Sequence, residues 1–93
     1  MKSKVKRDEF WWKAYHFLKA GSFSRFHPLT GELFCSMKFR DPDAQPGQMP
    51  EKFGLIFESD LTTIHIVEQY NTTGEAEKFD SLAQLLDSGW DVD

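Results

Sequence analysis

"DEFWWKAYHFLKAGSFSRFHPLTGELFCSMKFR", residues 8–40, contains two different apolar periods, one before Gly21 and one after it. Before Gly21 the apolar residues recur every three or four positions, as on one side of an amphipathic helix, and after it they alternate with polar residues, as in a half-buried strand. Asp8 belongs to the residue types that cap helix starts, and glycine is the usual residue just past a helix end. The stretch therefore predicts a helix over about residues 8–20, followed by a β-hairpin that turns at PLTG (28–31).

Two adjacent tryptophans lie in this helix, and neighbouring residues of a helix point about 100° apart. An arc of about 160° contains the residues that we expect on the core side, namely Phe10, Trp11, Ala14, Tyr15, Phe17 and Leu18. Trp12 lies outside this arc, on the polar side of the helix, with His16 one turn on and Lys19 two turns on. We therefore expect Trp11 in the core and Trp12, His16 and Lys19 on the surface.

The hairpin has one apolar face and one mixed face. Leu33, Cys35, Met37 and Phe39 alternate with polar residues and are predicted to face the core together with Phe26. For a hairpin loop of two or four residues, the same alternation places Arg25 and His27 on the opposite face with Phe34, and we assign Phe23 to that face as well. Cys35 is then buried and has no histidine beside it, which predicts an unreactive thiol.

The rest of the chain predicts three strands and a short helix. DPDAQPGQMP (41–50) is a proline-rich loop, and KFGLIFE (52–58) and TIHIVEQY (63–70) are strands joined by a turn at Ser59 and Asp60. That turn places Phe53, Leu55 and Phe57 on the core face together with Thr62, Ile64 and Ile66. NTTG (71–74) is a further turn, and EAEKF (75–79) is a short edge strand that pairs Glu68 with either Glu77 or Phe79.

The C-terminal segment carries helix signals at both ends. Ser81 and Gln84 form a capping box, and Gly89 ends the helix. Trp90 is expected to pack against Leu85 as a structural residue. Residues 91–93 are expected to fray.

These elements predict an α+β fold of one domain, residues 1–93, with the order α-β-β-β-β-β-α. An antiparallel sheet of about five strands has the N-terminal helix and the short C-terminal helix packed on one face. Residues 1–7 form a basic N-terminal tail. A chain of 93 residues is long enough for one domain and too short for two.

The charges are unevenly distributed along the chain. Residues 1–27 carry seven Lys and Arg against two acids, and residues 28–93 carry four against thirteen, within a net charge of −4. This pattern predicts a charge dipole. A single cysteine predicts a reducing compartment, the cytoplasm, and no stretch is apolar enough to predict a secretory signal or contact with a membrane.

The chain lacks the common signatures of catalysis. The three histidines show neither HxxxH nor HxH spacing, and no nucleophile, phosphate-binding or zinc-protease motif is present. We therefore expect no catalytic residues, no metal and no cofactor.

Binding is the predicted function. Aromatic residues beside arginine are typical of protein interfaces, and the predicted partner-binding residues are Trp12, His16, Lys19, Phe23, Arg25 and Phe34. We expect a small non-catalytic protein-interaction module, as a homodimer or as an inhibitor or regulator of another protein. The alternatives are a nucleic-acid-associated accessory protein that uses the basic N-terminal helix, which the acidic pI of about 5.3 disfavours, and a small-ligand binder with an aromatic pocket between helix and sheet.

Overall fold

A computed structural model of the protein describes residues 5–21, 23–45, 47–69 and 71–93. Its elements in chain order are α1 (Glu9–Lys19), β1 (Arg25–Phe26), β2 (Leu33–Phe39), β3 (Lys52–Phe57), β4 (Asp60–Glu68), β5 (Asn71–Lys78), α2 (Leu82–Asp87) and β6 (Trp90–Val92). The predicted α+β fold is confirmed, and a sixth strand is added to it. Residues 1–4 of the predicted basic tail and Pro46 of the predicted loop lie outside the described residues.

All strand pairs in the sheet are antiparallel, in the order β1-β2-β3-β4-β5. β6 pairs with β2 on the edge that β1 also uses. β1 lies opposite Leu33 and Phe34, and β6 lies opposite the later residues of β2, from Met37 to Phe39. One edge of the sheet is therefore formed by two short strands placed end to end along β2.

Helix α1 begins and ends where the sequence predicts. The side chain of Asp8 accepts a hydrogen bond from the backbone N–H of Trp11 at 3.0 Å, and Gly21 follows the helix at φ +68°. Trp11 is 5% exposed and Trp12 is 43% exposed, which confirms the expected division between the two tryptophans. Trp11 therefore belongs to the core and Trp12 to the surface.

The buried stripe of α1 is narrower than predicted. Only Trp11, Ala14 and Leu18 are buried, whereas Phe10 is 71% exposed and Phe17 is 40% exposed. Both phenylalanines lie roughly 90° from the centre of the stripe, on the same flank of the helix. The prediction that they face the core was wrong, because hydrophobic periodicity does not indicate how much of an apolar arc the sheet covers.

Both helices pack on the same face of the sheet. Leu18 of α1, Leu85 of α2 and three strand residues, Met37, Ile56 and Ile64, are fully buried in one cluster. Ser81 caps α2, since its hydroxyl accepts a hydrogen bond from the backbone N–H of Gln84 at 3.1 Å, as predicted. Neither described helix is long and apolar enough to cross a membrane.

The pairing of β3 with β4 differs from the prediction and places the residues of β3 on the face opposite to the predicted one. Phe57 pairs with Asp60, whereas Leu55 pairs with His65, so extra residues of β4 bulge between these two positions. Ile64 and Ile66 of β4 face the core as predicted, and Ile56 of β3 faces it with them. Leu55 of β3 and Val67 of β4 face the other side. The predicted core positions of Phe53, Leu55 and Phe57 were wrong for this reason.

Asp60 holds the bulge in place. Its carboxylate accepts hydrogen bonds from the backbone N–H of Thr62 at 3.0 Å and from the hydroxyls of Thr62 and Thr63 at 2.7 and 2.8 Å. These bonds, first of all those from Thr62, lower the pKa of Asp60. The local side-chain bonds take the place of regular strand pairing over these residues.

The last two strands also depart from the prediction. NTTG is part of β5 rather than a separate turn, and Glu68 pairs with Asn71, which is neither of the two registers considered. Residues 91–93 do not fray, since Val92 pairs with Met37 and the backbone N–H of Asp93 donates to Ser36 at 3.0 Å. The free edge of β2 beyond β1 supplies the partner that the sequence alone did not indicate.

Trp90 is a structural residue, as expected. It is buried in the core, and its indole N–H donates to Glu77 at 3.2 Å. The preceding Gly89 has φ +124° and lies so close to the carbonyl oxygen of Arg40 that any side chain would collide with it. Glycine at this position therefore allows the chain to pass from α2 into β6.

Candidate binding surfaces

The face of the sheet turned away from both helices carries an apolar layer of its own. The layer consists of Phe34 on β2, Phe53, Leu55 and Phe57 on β3, and Val67 on β4. Phe34 is buried, Phe53 is exposed, and the remaining three are half-buried. We call this surface the open face.

Aromatic rings cover part of the open face. His27 contacts Phe34 and Phe57 edge-on, with ring centroids 6.0 and 5.7 Å apart, and His65 contacts Phe57 in the same manner at 5.0 Å. Edge-to-face contacts at these distances are favourable for aromatic pairs. They explain why Phe34 is buried although no helix lies over it.

Two adjoining hollows run along the open face. Their volumes are about 610 and 560 Å³, and both are lined by Arg25, Ser36, Leu55 and Val67. The segment from His27 to Leu29 and the start of β5 border the first hollow, whereas Phe53, Gln69 and Asp93 border the second. The open face is therefore a groove with an arginine at the point that the two hollows share.

Arg25 is held in one orientation at this shared point. Its guanidinium carbon lies 5.0 Å from the centroid of the Phe34 ring, and its Nη1 donates to the hydroxyl of Ser36 at 3.2 Å. Arginine over an aromatic ring is a favourable cation–π arrangement. Among the described residues, no carboxylate lies within 4.0 Å of the guanidinium, so its charge is not neutralised by an ion pair there.

A second surface lies on the flank of α1 that carries Trp12. The Trp12 ring stacks on His16 with centroids 5.8 Å apart and contacts Trp11 and Tyr15 at 4.7 and 5.7 Å. Lys19 is exposed on the same flank. The indole is thus partly packed by its own helix and partly open to a partner.

The structure separates the six predicted partner-binding residues into three places. Arg25 and Phe34 are together on the open face, and the group of Trp12, His16 and Lys19 is on the helix. Phe23 lies elsewhere, because it is buried in the core and stacks on Phe17 at 6.3 Å. Its predicted position beside Phe34 was wrong, since β1 begins only at Arg25 and strand alternation does not extend back to residue 23.

Two cations of the basic N-terminal segment are paired within the chain. Arg7 donates two hydrogen bonds to Asp87, at 3.0 and 2.8 Å, and lies 4.6 Å from the centroid of Trp11. The hydrogen bond to Asp87 raises the pKa of Arg7. Lys13 is paired with Glu9 at 3.2 Å. These pairs weaken the basic surface that a nucleic acid would need.

Cys35 and the histidines do not form a reactive group. Cys35 is half-buried against the core, and burial raises the pKa of its thiol, while His27 lies on the opposite face of the sheet. In the described part of the chain, no three His, Cys, Asp or Glu side chains are grouped as metal ligands would be. A hollow of about 300 Å³ that Phe10, Trp11 and Trp90 help to line lies between the helices and β6, so the aromatic pocket for a small ligand stays a prediction.

The part of the groove that sequence analysis missed is one half of its floor. Leu55 reaches the open face only because the bulge in β4 changes the register with β3, whereas Val67 lies there as its alternation with Ile64 and Ile66 predicts. Asp60 with threonines two and three positions later is a local signal that favours an interrupted strand. We found no match to this chain among protein-family models, curated proteins or solved structures. The function is therefore inferred from these surfaces.

Proposed function

We propose that this protein is a non-catalytic interaction module that binds an extended segment of another protein along the open face. The observation that supports this most strongly is Arg25, oriented by Phe34 and Ser36 at the point shared by two apolar hollows. Its remaining N–H groups suit a carboxylate, which arginine binds in a well-defined geometry. The proposed ligand segment therefore carries an Asp or Glu flanked by apolar residues.

The arrangement of the hollows suggests the spacing within that segment. In an extended chain, alternate side chains point the same way and are about 6.6 to 6.8 Å apart along the strand. A carboxylate above Arg25 would then place the side chains two residues before and after it over the two hollows. Apolar residues at those two positions would contact the floor formed by Leu55 and Val67.

Interface energetics support a site of this kind. Arginine and aromatic residues are enriched among the few interface residues that contribute most of the binding energy. An inhibitor or regulator that captures a segment of its target is one form of this function. We also propose the cytoplasm as its location, because Cys35 is the only cysteine in the chain.

A selection from random peptides tests the proposal. We would select phage-displayed dodecapeptides on the wild-type protein and measure the binding of the enriched peptides to Arg25→Gln and Lys38→Gln. Lys38 of β2 is the matched control, because it is a cation on the same face of the sheet as Arg25 but does not line either hollow. We expect the enriched peptides to carry Asp or Glu with apolar residues two positions before and after it. We expect Arg25→Gln to bind these peptides about threefold or more weakly than the wild type, and Lys38→Gln to bind them as the wild type does.

The opposite outcomes are equally clear. Failure to enrich peptides, enrichment of sequences without acids, or equal losses with both variants would contradict the proposal. Binding of free aryl carboxylates in preference to peptides would instead support the alternative of a small-ligand binder.

A further inference from the structure

We propose that a second copy of this chain docks on the cleft between α1 and β6, which we call the edge cleft. This cleft lies apart from the open face, and the inference goes beyond the function proposed above. It has a volume of about 260 Å³ and is lined by Phe10, Lys13, Ala14 and Phe17 of α1 and by Asp91 and Val92 of β6. Its charges and its exposed apolar surface suit a second copy.

Two aromatic side chains of the edge cleft lie at the surface. Phe10 and Phe17 are two turns apart on one flank of α1, both line the cleft, and both are exposed. Phe26, on the other short strand of the same sheet edge, is also exposed, so the prediction that it faces the core was wrong. Contiguous exposed aromatic side chains such as Phe10 and Phe17 typically mark an interaction site on a small domain.

The charges of the edge cleft make it self-complementary. Lys13 lies on the helix wall, where it is paired with Glu9 of the same helix at 3.2 Å, and Asp91 lies on the strand wall. Both partners of the Lys13–Glu9 pair are exposed, so the pair is weak and leaves Lys13 able to contact a second copy. A two-fold axis through the cleft places the helix wall of one copy opposite the strand wall of the other. Each Lys13 then lies opposite Asp91 of the second copy, and Phe10 and Phe17 lie opposite its Val92. This match favours a second copy over an unrelated partner.

The backbone of β6 is not needed for this arrangement, since the backbone N–H of Val92 already donates to the side chain of Asp91 at 2.8 Å. The proposed contacts are therefore made by side chains. A domain of this size gains stability from burying such surface in a dimer.

Reciprocal charge reversal tests the inference. We would measure the mass of the wild type, Lys13→Asp and Asp91→Lys by sedimentation equilibrium, each alone, and then an equimolar mixture of the two variants. We expect the wild type to dimerise with a Kd of about 1 to 100 µM, and each variant alone to dimerise at least tenfold more weakly because it places like charges opposite each other. The mixture should recover a one-to-one heterodimer, since both charge contacts are then restored in reversed or native form.

Two further variants separate the interface from general effects of charge and folding. Lys78→Asp makes the same charge change at the opposite edge of the sheet and should leave the dimer unchanged. Phe10→Ser should abolish the dimer while circular dichroism shows a folded monomer, because Phe10 is exposed in the monomer. The inference would be overturned by a wild type that is monomeric at about 1 mM, by variants that dimerise like the wild type, or by a mixture that stays monomeric. None of these results depends on peptide binding at the open face.

Discussion

The two faces of the sheet are built from alternate residues of the same strands, yet only one of them is covered. On the face beneath the helices, Met37, Ile56 and Ile64 are completely buried. On the open face, Leu55 and Val67 are half-buried, and no described helix lies over them. The strands therefore carry more apolar surface than the two helices cover, and this surplus is where we expect binding.

The largest expected effect separates the covered side of α1 from its surface. Trp11→Ala should lower the free energy of unfolding by about 3 to 5 kcal/mol, because it empties a large site in the core. Trp12→Ala should lower it by less than about 1 kcal/mol, because much of the indole is already in water. Thermal melts of both variants provide the measurement. Equal destabilisation would show that Trp12 contributes to the core as much as Trp11 does.

A second pair of variants compares the two faces within one strand. Ile64→Ala on the covered face should cost about 2 to 4 kcal/mol of unfolding free energy, because the cavity that it leaves is closed off from water. Val67→Ala on the open face should cost about 1 kcal/mol or less, since its side chain is already partly in water. Urea unfolding of the two variants measures both values. Similar costs would mean that the open face is packed as tightly as the core.

Thiol reactivity provides a chemical version of the same comparison. Burial raises the pKa of Cys35, so less of it is thiolate at neutral pH and it should react slowly with a labelling reagent in the native state. In the variant Cys35→Ser with Ser36→Cys, the thiol lies on the open face beside Arg25 and should react about tenfold faster or more. Rapid labelling of Cys35 before unfolding would show that the assignment of faces in β2 is wrong.

Local signals in the sequence were enough for the helices and for half of the proposed site. The caps at Asp8 and Ser81 follow from residues a few positions away, and the hairpin brings Arg25 to Phe34 by strand alternation alone. Both kinds of signal depend on contacts between residues close together in the chain. Helix caps and strand alternation can therefore be predicted without knowledge of the tertiary structure.

The features that the sequence did not reveal depend on distant contacts. The bulge at Asp60 determines the face of Leu55, and the position of α1 on the sheet determines the exposure of Phe10. β6 forms only because Val92 meets Met37, a residue more than fifty positions earlier in the chain. None of these outcomes is encoded in periodicity, because each one depends on where another element packs.

The most direct test of the account is a double-mutant cycle between Arg25 and a peptide carboxylate. The probe is an acetylated and amidated Thr-Val-Thr-Glu-Thr-Val-Thr peptide, compared with the same peptide carrying Gln in place of Glu, with affinities measured by NMR titration of the wild type and Arg25→Gln. We predict that the wild type prefers the Glu peptide about three- to fivefold and that Arg25→Gln binds both peptides equally, with shifts confined to the open face. A wild type that does not distinguish the peptides, or an Arg25→Gln variant that keeps the preference, would contradict the central claim that this face binds a partner segment through Arg25.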